Sequence, residues 1–155
     1  MCAVEIGWAA PDEWSDIMTM VWRTFLEHEG RVYSQQGVHS FFEFITNDRL
    51  YQSFLTGYYQ IIVARLKGEI VGMCSLRNGN FLSLLFVKDG YQGQGIGTRL
   101  VEDMKRYLKT EAGQYNMLVK AAVGAEGFYL KNGFCITGQL EEAGGVQVIP
   151  MEILL

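Results

Sequence analysis

The chain has 155 residues, a hydrophobic fraction of 49%, a charged fraction of 19% and a net charge of −4. That is about one domain, with apolar mass enough for a real core. The acidic balance, without a basic run or a basic–aromatic stripe, argues against nucleic acid as the main partner. No apolar stretch approaches the ~20 residues of a membrane span.

The N-terminal MCAVEIGWAAPDEW has neither a basic n-region nor a long apolar h-region, so no signal peptide is expected. Cys2, Cys74 and Cys135 are odd in number and widely spaced, with no C-x-x-C pair. Reduced thiols in a cytoplasm are the expectation. Cys74 and Cys135 fall in apolar segments and read as core residues. His28 and His39 have no metal-ligand spacing with Cys, Asp or Glu in the sequence, and no metal is expected.

Residues 3–8 read as a first strand. Pro11 suits the first turn of a helix, and Asp12 and Glu13 favour its positive end. Trp14, Ile17, Met18, Val21, Trp22, Phe25 and Leu26 then follow helical spacing to an end near Glu29-Gly30. A second helix is predicted over 35–46 and a short one over 48–56. Three strands follow at 59–65, 70–76 and 81–87. They are joined by Lys67-Gly68-Glu69 and by Arg77-Asn78-Gly79-Asn80, the latter carrying the Asn-Gly hairpin signal. Past 87 comes Gln92-Gly93-Gln94-Gly95-Ile96-Gly97-Thr98. An amphipathic helix then carries Leu100, Val101, Met104 and Leu108 on one face and ends near 111–113. A strand over 114–120, a short helix over 126–132 closed by Gly133, and strands over 134–137 and 146–154 complete the chain. Residues 141–145 read as a loop. The order describes a mixed-sheet α/β domain.

A strand, a glycine-rich turn and a helix start make an anion site. The first N–H groups of a helix lack intrahelical partners, and its dipole favours negative charge there. Glycines let a phosphate approach the main chain without meeting a Cβ. A P-loop would need Gly-Lys-Ser/Thr at the helix start, and this turn has no lysine. A dinucleotide fingerprint would want a third glycine where Thr98 stands. It would also want an acidic residue about 20 positions on, ending a second strand. Glu111 has that spacing but precedes Gly113, outside any strand.

Gln92-x-x-Gly95-x-Gly97, after a strand ending in Val87, resembles the acetyl-CoA pyrophosphate loop of the GNAT N-acetyltransferase superfamily. Phe128-Tyr129-Leu130-Lys131-Asn132-Gly133-Phe134 resembles the "FYxKxGF" helix-to-strand junction that follows it there. The two segments stand in the family's order and at about its spacing. The pattern departs at Asp89, where a proline is frequent, and at Ala122, where an asparagine typically helps to hold the pantetheine arm.

The resemblance implies a single N-acetyltransferase domain over 1–155, with a mixed, mostly antiparallel sheet flanked by helices. It implies acetyl-CoA as cosubstrate and an amine of a small molecule or a protein as acceptor. Cofactor contacts would come from Leu85, Phe86 and Val87 on the strand. Gln92, Gly93, Gln94, Gly95, Ile96, Gly97 and Thr98 in the turn, and Lys131, would add to them. A main-chain N–H near Phe86 or Val87 would face the thioester carbonyl, and Tyr129 would supply a proton to the leaving thiolate. A base for the amine is required chemically. Glu27, His28, Glu29 and Glu43 lie in the substrate-side region, and each equally reads as an ordinary solvated residue. A non-catalytic acyl-CoA-binding sensor or interaction domain of the same fold is the alternative. A homodimer is a candidate assembly.

Overall fold

The computed structural model describes residues 3–155, apart from the Ala143 side chain; Cys2 lies outside the described residues. The strands are β1 (Glu5–Trp8), β2 (Gln60–Leu66), β3 (Glu69–Arg77), β4 (Phe81–Val87), β5 (Asn116–Ala122), β6 (Cys135–Ile136), β7 (Glu141–Ala143) and β8 (Val146–Leu154). The helices are α1 (Trp14–His28), entered through a 3-10 turn at Pro11–Glu13, α2 (Gln35–Ile45), α3 (Asp48–Leu55), α4 (Ile96–Thr110) and α5 (Glu126–Lys131). The strands form one sheet in the order β1-β2-β3-β4-β5-β8-β6, with β7 added to β8. Among the described residues β4–β5 is the one parallel pair, with α4 as its crossover. The expected mixed, mostly antiparallel α/β sheet is therefore the fold.

Two apolar layers sandwich the sheet. On one side Ile96, Leu100, Val101, Met104 and Leu108 of α4 pack on Ala64, Val71, Cys74 and Met117. On the other, Ile17, Val21 and Phe25 of α1 pack on Ile61, Val63, Met73 and Phe86. The helical periodicities of α1 and α4 are each explained by one of these layers. Gly72 lets α4 approach: a Cβ there would stand 3.2 Å from a Leu100 methyl and 3.2 Å from the Phe86 carbonyl.

β4 is not a regular strand. Its register with β3 shifts between Ser75 and Leu76, leaving Ser83 as an extra residue between Leu82 and Leu84. Such a bulge reverses the alternation of side chains beyond it. Leu82 packs with the α4 layer, whereas Leu84 and Phe86 pack with the α1 layer. Leu85 and Val87 are thereby turned to the α4 side. A buried hydroxyl cluster pins the bulge. Tyr59 Oη lies 2.6 Å from Ser75 Oγ and donates to Ser83 Oγ at 3.0 Å, and Ser75 Oγ accepts from the Leu84 N–H at 3.0 Å.

The span of β5, residues 141–145 and Cys135 differ from the sequence expectation. β5 begins two residues later and runs to Ala122, because the long β8 pairs with it from Asn116↔Leu154 to Ala122↔Val148. The expected loop over 141–145 contains β7. Its hairpin to β8 turns on Gly144 and Gly145, both at positive φ. Cys74 is buried as expected, and burial pushes its thiol up to about 12. Cys135 is exposed, since β6 is a two-residue strand at the sheet edge. No described helix is long and apolar enough to cross a membrane.

Candidate active site

The turn between β4 and α4 is built for an anion. Gly95 caps α4 in the left-handed region at φ 83, and Gly90 and Gly93 also have positive φ. Side chains there are strained, so glycine is the residue the turn requires. Arg99 N–H closes the first turn of α4 on the Gly95 carbonyl at 3.0 Å. Among the described residues the N–H groups from Gly93 to Thr98 bond no protein acceptor, and the first turn of α4 carries no acidic side chain. Gln92 ties the turn back, donating from Nε2 to the Val87 carbonyl at 2.9 Å. All of the residues from Gly93 to Thr98 except Gln94 line a groove of about 460 Å³ with Val87, Tyr91, Phe128 and Lys131. Lys131 is the cation that the groove adds to the helix dipole. Tyr91 is a contact that no motif identified, and Phe128, part of the FYxKxGF segment, was not expected as one.

The groove continues into a gap in the sheet. β4 and β5 pair only at Phe81↔Leu118 and Leu82↔Val119 and are unpaired beyond. Lys88 N–H donates to the Val71 carbonyl at 2.8 Å, and Leu84 N–H points to Ser75 on the same neighbour. N–H directions alternate along a strand, so Phe86 N–H also faces β3. Leu85 and Val87 present theirs to the gap. The geometry thus separates the two expected donors: Val87 faces the gap, while the buried Phe86 ring closes the far wall.

A second cleft of about 310 Å³ opens on the other side of the gap, between α1, α2 and the β7–β8 turn. Leu85, Ala125 and Tyr129 line both spaces. Tyr129 is held edge-on between Phe128 and Phe134, at centroid distances of 5.2 and 5.4 Å. Burial, with the neighbouring Cys74 and Glu29 charges, pushes its phenol well above the usual tyrosine range. It is therefore a protonated donor at neutral pH. Its hydroxyl is not a sealed, orphaned polar atom; it is open to the junction of the two spaces.

The four carboxylate and imidazole candidates separate in space. Glu29, the residue capping the C-terminus of α1, lines the second cleft. Burial raises its carboxyl pKa, offset in part by His28. Glu43 is exposed and pairs with His39 at 2.8 Å. Glu27 and His28 turn to the opposite face, where His28 Nε2 meets Asp89 Oδ1 at 3.0 Å. Glu27, His28 and Asp89 offer ligand atoms within 4.8 Å of one another, a juxtaposition invisible in the sequence spacing, and all three are exposed. A cavity of about 570 Å³ beside them, lined by Asp16, Arg23, Glu69, Lys88 and Asp89, shares no lining residue with the groove or with the strand gap. Its size alone does not make it the site.

Gly97 gives a direct probe of the cradle. It is outside the left-handed region, and a Cβ there would rest 3.4 Å from the Phe128 ring. Gly97→Val should keep the circular dichroism spectrum and lower CoA affinity by about tenfold or more, the scale of one lost charge-assisted hydrogen bond. Calorimetry would read it; full affinity in the folded variant would put the phosphates elsewhere.

Fold and site together define a domain that takes an elongated, phosphate-bearing acyl carrier into a split sheet. The family model described as "Acetyltransferase (GNAT) domain" matches residues 29–155, and the chain belongs to that family. A search of curated proteins by sequence finds no match. Among solved structures, a GCN5-related N-acetyltransferase of Rhodopseudomonas palustris is similar at a TM-score of 0.85 and 18% identity, over 100% of this chain and 98% of that one. PaiA N-acetyltransferase of Thermoplasma acidophilum, solved with coenzyme A, is similar at 0.80 and 17%, over 99% of each chain. A chimera of spermidine N-acetyltransferase SpeG from Vibrio cholerae and hSSAT is similar at 0.70 and 16%, over 97% and 95%. At these identities the likeness speaks to fold.

Proposed function

We propose that residues 1–155 act as one N-acetyltransferase domain that moves the acetyl group of acetyl-CoA to a primary amine, with Tyr129 and Glu29 as its proton-handling groups. The carrying observation is the continuity of three features: the glycine cradle, the β4–β5 gap and a cleft holding a half-buried carboxylate, with Tyr129 at their junction.

Bound acetyl-CoA supplies a thioester open to amine attack and a thiolate able to leave. The N–H groups of Gly93–Thr98 would hold its pyrophosphate. Lys131 would add charge, and Leu85 and Val87 would offer edge N–H groups to the pantetheine arm and the thioester carbonyl. Glu29 would take a proton from the incoming ammonium, directly or through one water. The raised carboxyl pKa brings the base nearer to working pH. Tyr129 would donate a hydrogen bond to the departing sulfur as the C–S bond breaks and the C–N bond forms. A reducing cytoplasm suits the free thiols of Cys74 and Cys135.

The test is thiol release from acetyl-CoA with a panel of primary amines, with mass spectrometry of the product. An amide heavier by one acetyl group is expected. Thiol release independent of amine would indicate thioester hydrolysis instead.

A further inference from the structure

The lining of the second cleft points to one class of acceptor. Its charged residues are Glu29 and Lys120, and Lys120 is already paired with Glu141 at 3.1 Å. One carboxylate remains for a ligand. A molecule with two or more ammonium groups would find no second unpaired carboxylate among the lining residues, so its further charge gains nothing from the cleft wall. The rest of the wall mixes polar groups with a cluster of aromatic rings. Phe41 stacks on Phe25 at a centroid distance of 4.1 Å with planes 10° apart, and lies 5.8 Å from Phe86. Tyr33 packs edge-on against Phe25 at 5.1 Å. Phe41 and Tyr33 are only half-buried, so each keeps ring surface free in the cleft. Interlocked rings of this kind offer a rigid face to a flat molecule and a π surface to its ammonium.

The cleft is also bridged. Ser34 Oγ donates to the Gly145 carbonyl at 3.1 Å while accepting from the Gly37 N–H at 3.0 Å. A Cβ on Gly145 would stand 2.8 Å from the Gly37 nitrogen. The β7–β8 turn is thus seated on the start of α2 and closes one side of a space of about 310 Å³.

Building on the acetyl-transfer reading, we propose that the acceptor is a small primary amine with a single positive charge and a flat apolar body, of the arylalkylamine class. Glu29 would receive the ammonium, and Phe41 and Tyr33 would hold the ring. The spermidine acetyltransferase shares the fold, but a fold does not carry its acceptor with it.

The experiment compares kcat/KM for phenethylamine, spermidine and a lysine-containing peptide at fixed acetyl-CoA. Phenethylamine should exceed spermidine by about tenfold or more, the scale of a well-placed cation–π and stacking site. Phe41→Leu, which keeps an apolar side chain, should lower the ratio of kcat/KM for phenethylamine to that for ethylamine by about threefold or more, and an unchanged ratio would remove the ring from acceptor choice. Its melting temperature and acetyl-CoA affinity would be measured alongside. Equal or greater use of spermidine or of the peptide would overturn the acceptor class and leave acetyl transfer standing. Absence of thiol release with every amine, despite acetyl-CoA binding, would overturn both.

Discussion

Tyr129→Phe should lower kcat by about 10²-fold with acetyl-CoA affinity unchanged, at the low end of the range for losing a general acid. The ring is fixed between Phe128 and Phe134, so the substitution removes an oxygen and little packing. Two facts set the effect at the low end. A thiolate is a tolerable leaving group near neutral pH. The phenol pKa is also raised further above that of a thiol by burial, so complete proton transfer to sulfur is uphill. The hydroxyl then acts mainly as a hydrogen-bond donor whose value appears as the C–S bond breaks. The loss should fall on kcat rather than KM. Because the phenol is held protonated, its ionisation should cause no alkaline loss of activity through pH 9. Steady-state kinetics within about twofold of wild type would assign Tyr129 to packing alone.

Glu29→Gln should lower kcat/KM at pH 7 by roughly 10²–10³-fold, because a lysine-like amine is almost wholly charged there without a base. Stability should move the other way. Burial raises the Glu29 carboxyl pKa above its value of 4.5 in the unfolded chain. Between the two pKa values the native state binds more protons than the unfolded state. Stability is therefore full below the lower value and falls as pH rises through the window. Glutamine removes that loss, so the variant should melt higher than wild type at pH 7 and match it in acid. The acid limb of the wild-type pH–rate profile should lie above the usual glutamate range and vanish in the variant. Wild-type activity in the variant, or a lower melting temperature at pH 7, would remove Glu29 from the reaction. Lost activity with gained stability is the pattern of a group retained for function.

The strand, glycine turn and helix over 81–110 were legible because each is a local device: an apolar run, a turn that needs positive φ, and a 3.6-residue stripe. Tyr129 and Lys131 came from a motif for the same reason. Glu29 did not stand out from Glu27, His28 and Glu43, since its burial is created by α2 and by the β7–β8 turn at the far end of the chain. The bulge at Ser83 was hidden inside Phe81–Val87, which reads as one apolar run. Its cause is the Tyr59–Ser75–Ser83 hydroxyl cluster, assembled from β3, β4 and the residue that precedes β2. Without that bulge Leu85 and Val87 would face α1 rather than the cofactor groove. The Gly144-Gly145 hairpin was available as a two-residue turn signal. The polar Glu141-Glu142 before it has none of the alternation that marks a strand, and so read as loop.

The central claim is that the glycine cradle and the β4–β5 gap receive acetyl-CoA. Calorimetric titration of the intact protein with acetyl-CoA, ATP and NADH tests it most directly, with melting temperature as a parallel reading. Saturable 1:1 binding of acetyl-CoA with a raised melting temperature is predicted, with little effect from ATP or NADH. Binding of NADH without binding of acetyl-CoA would contradict the account.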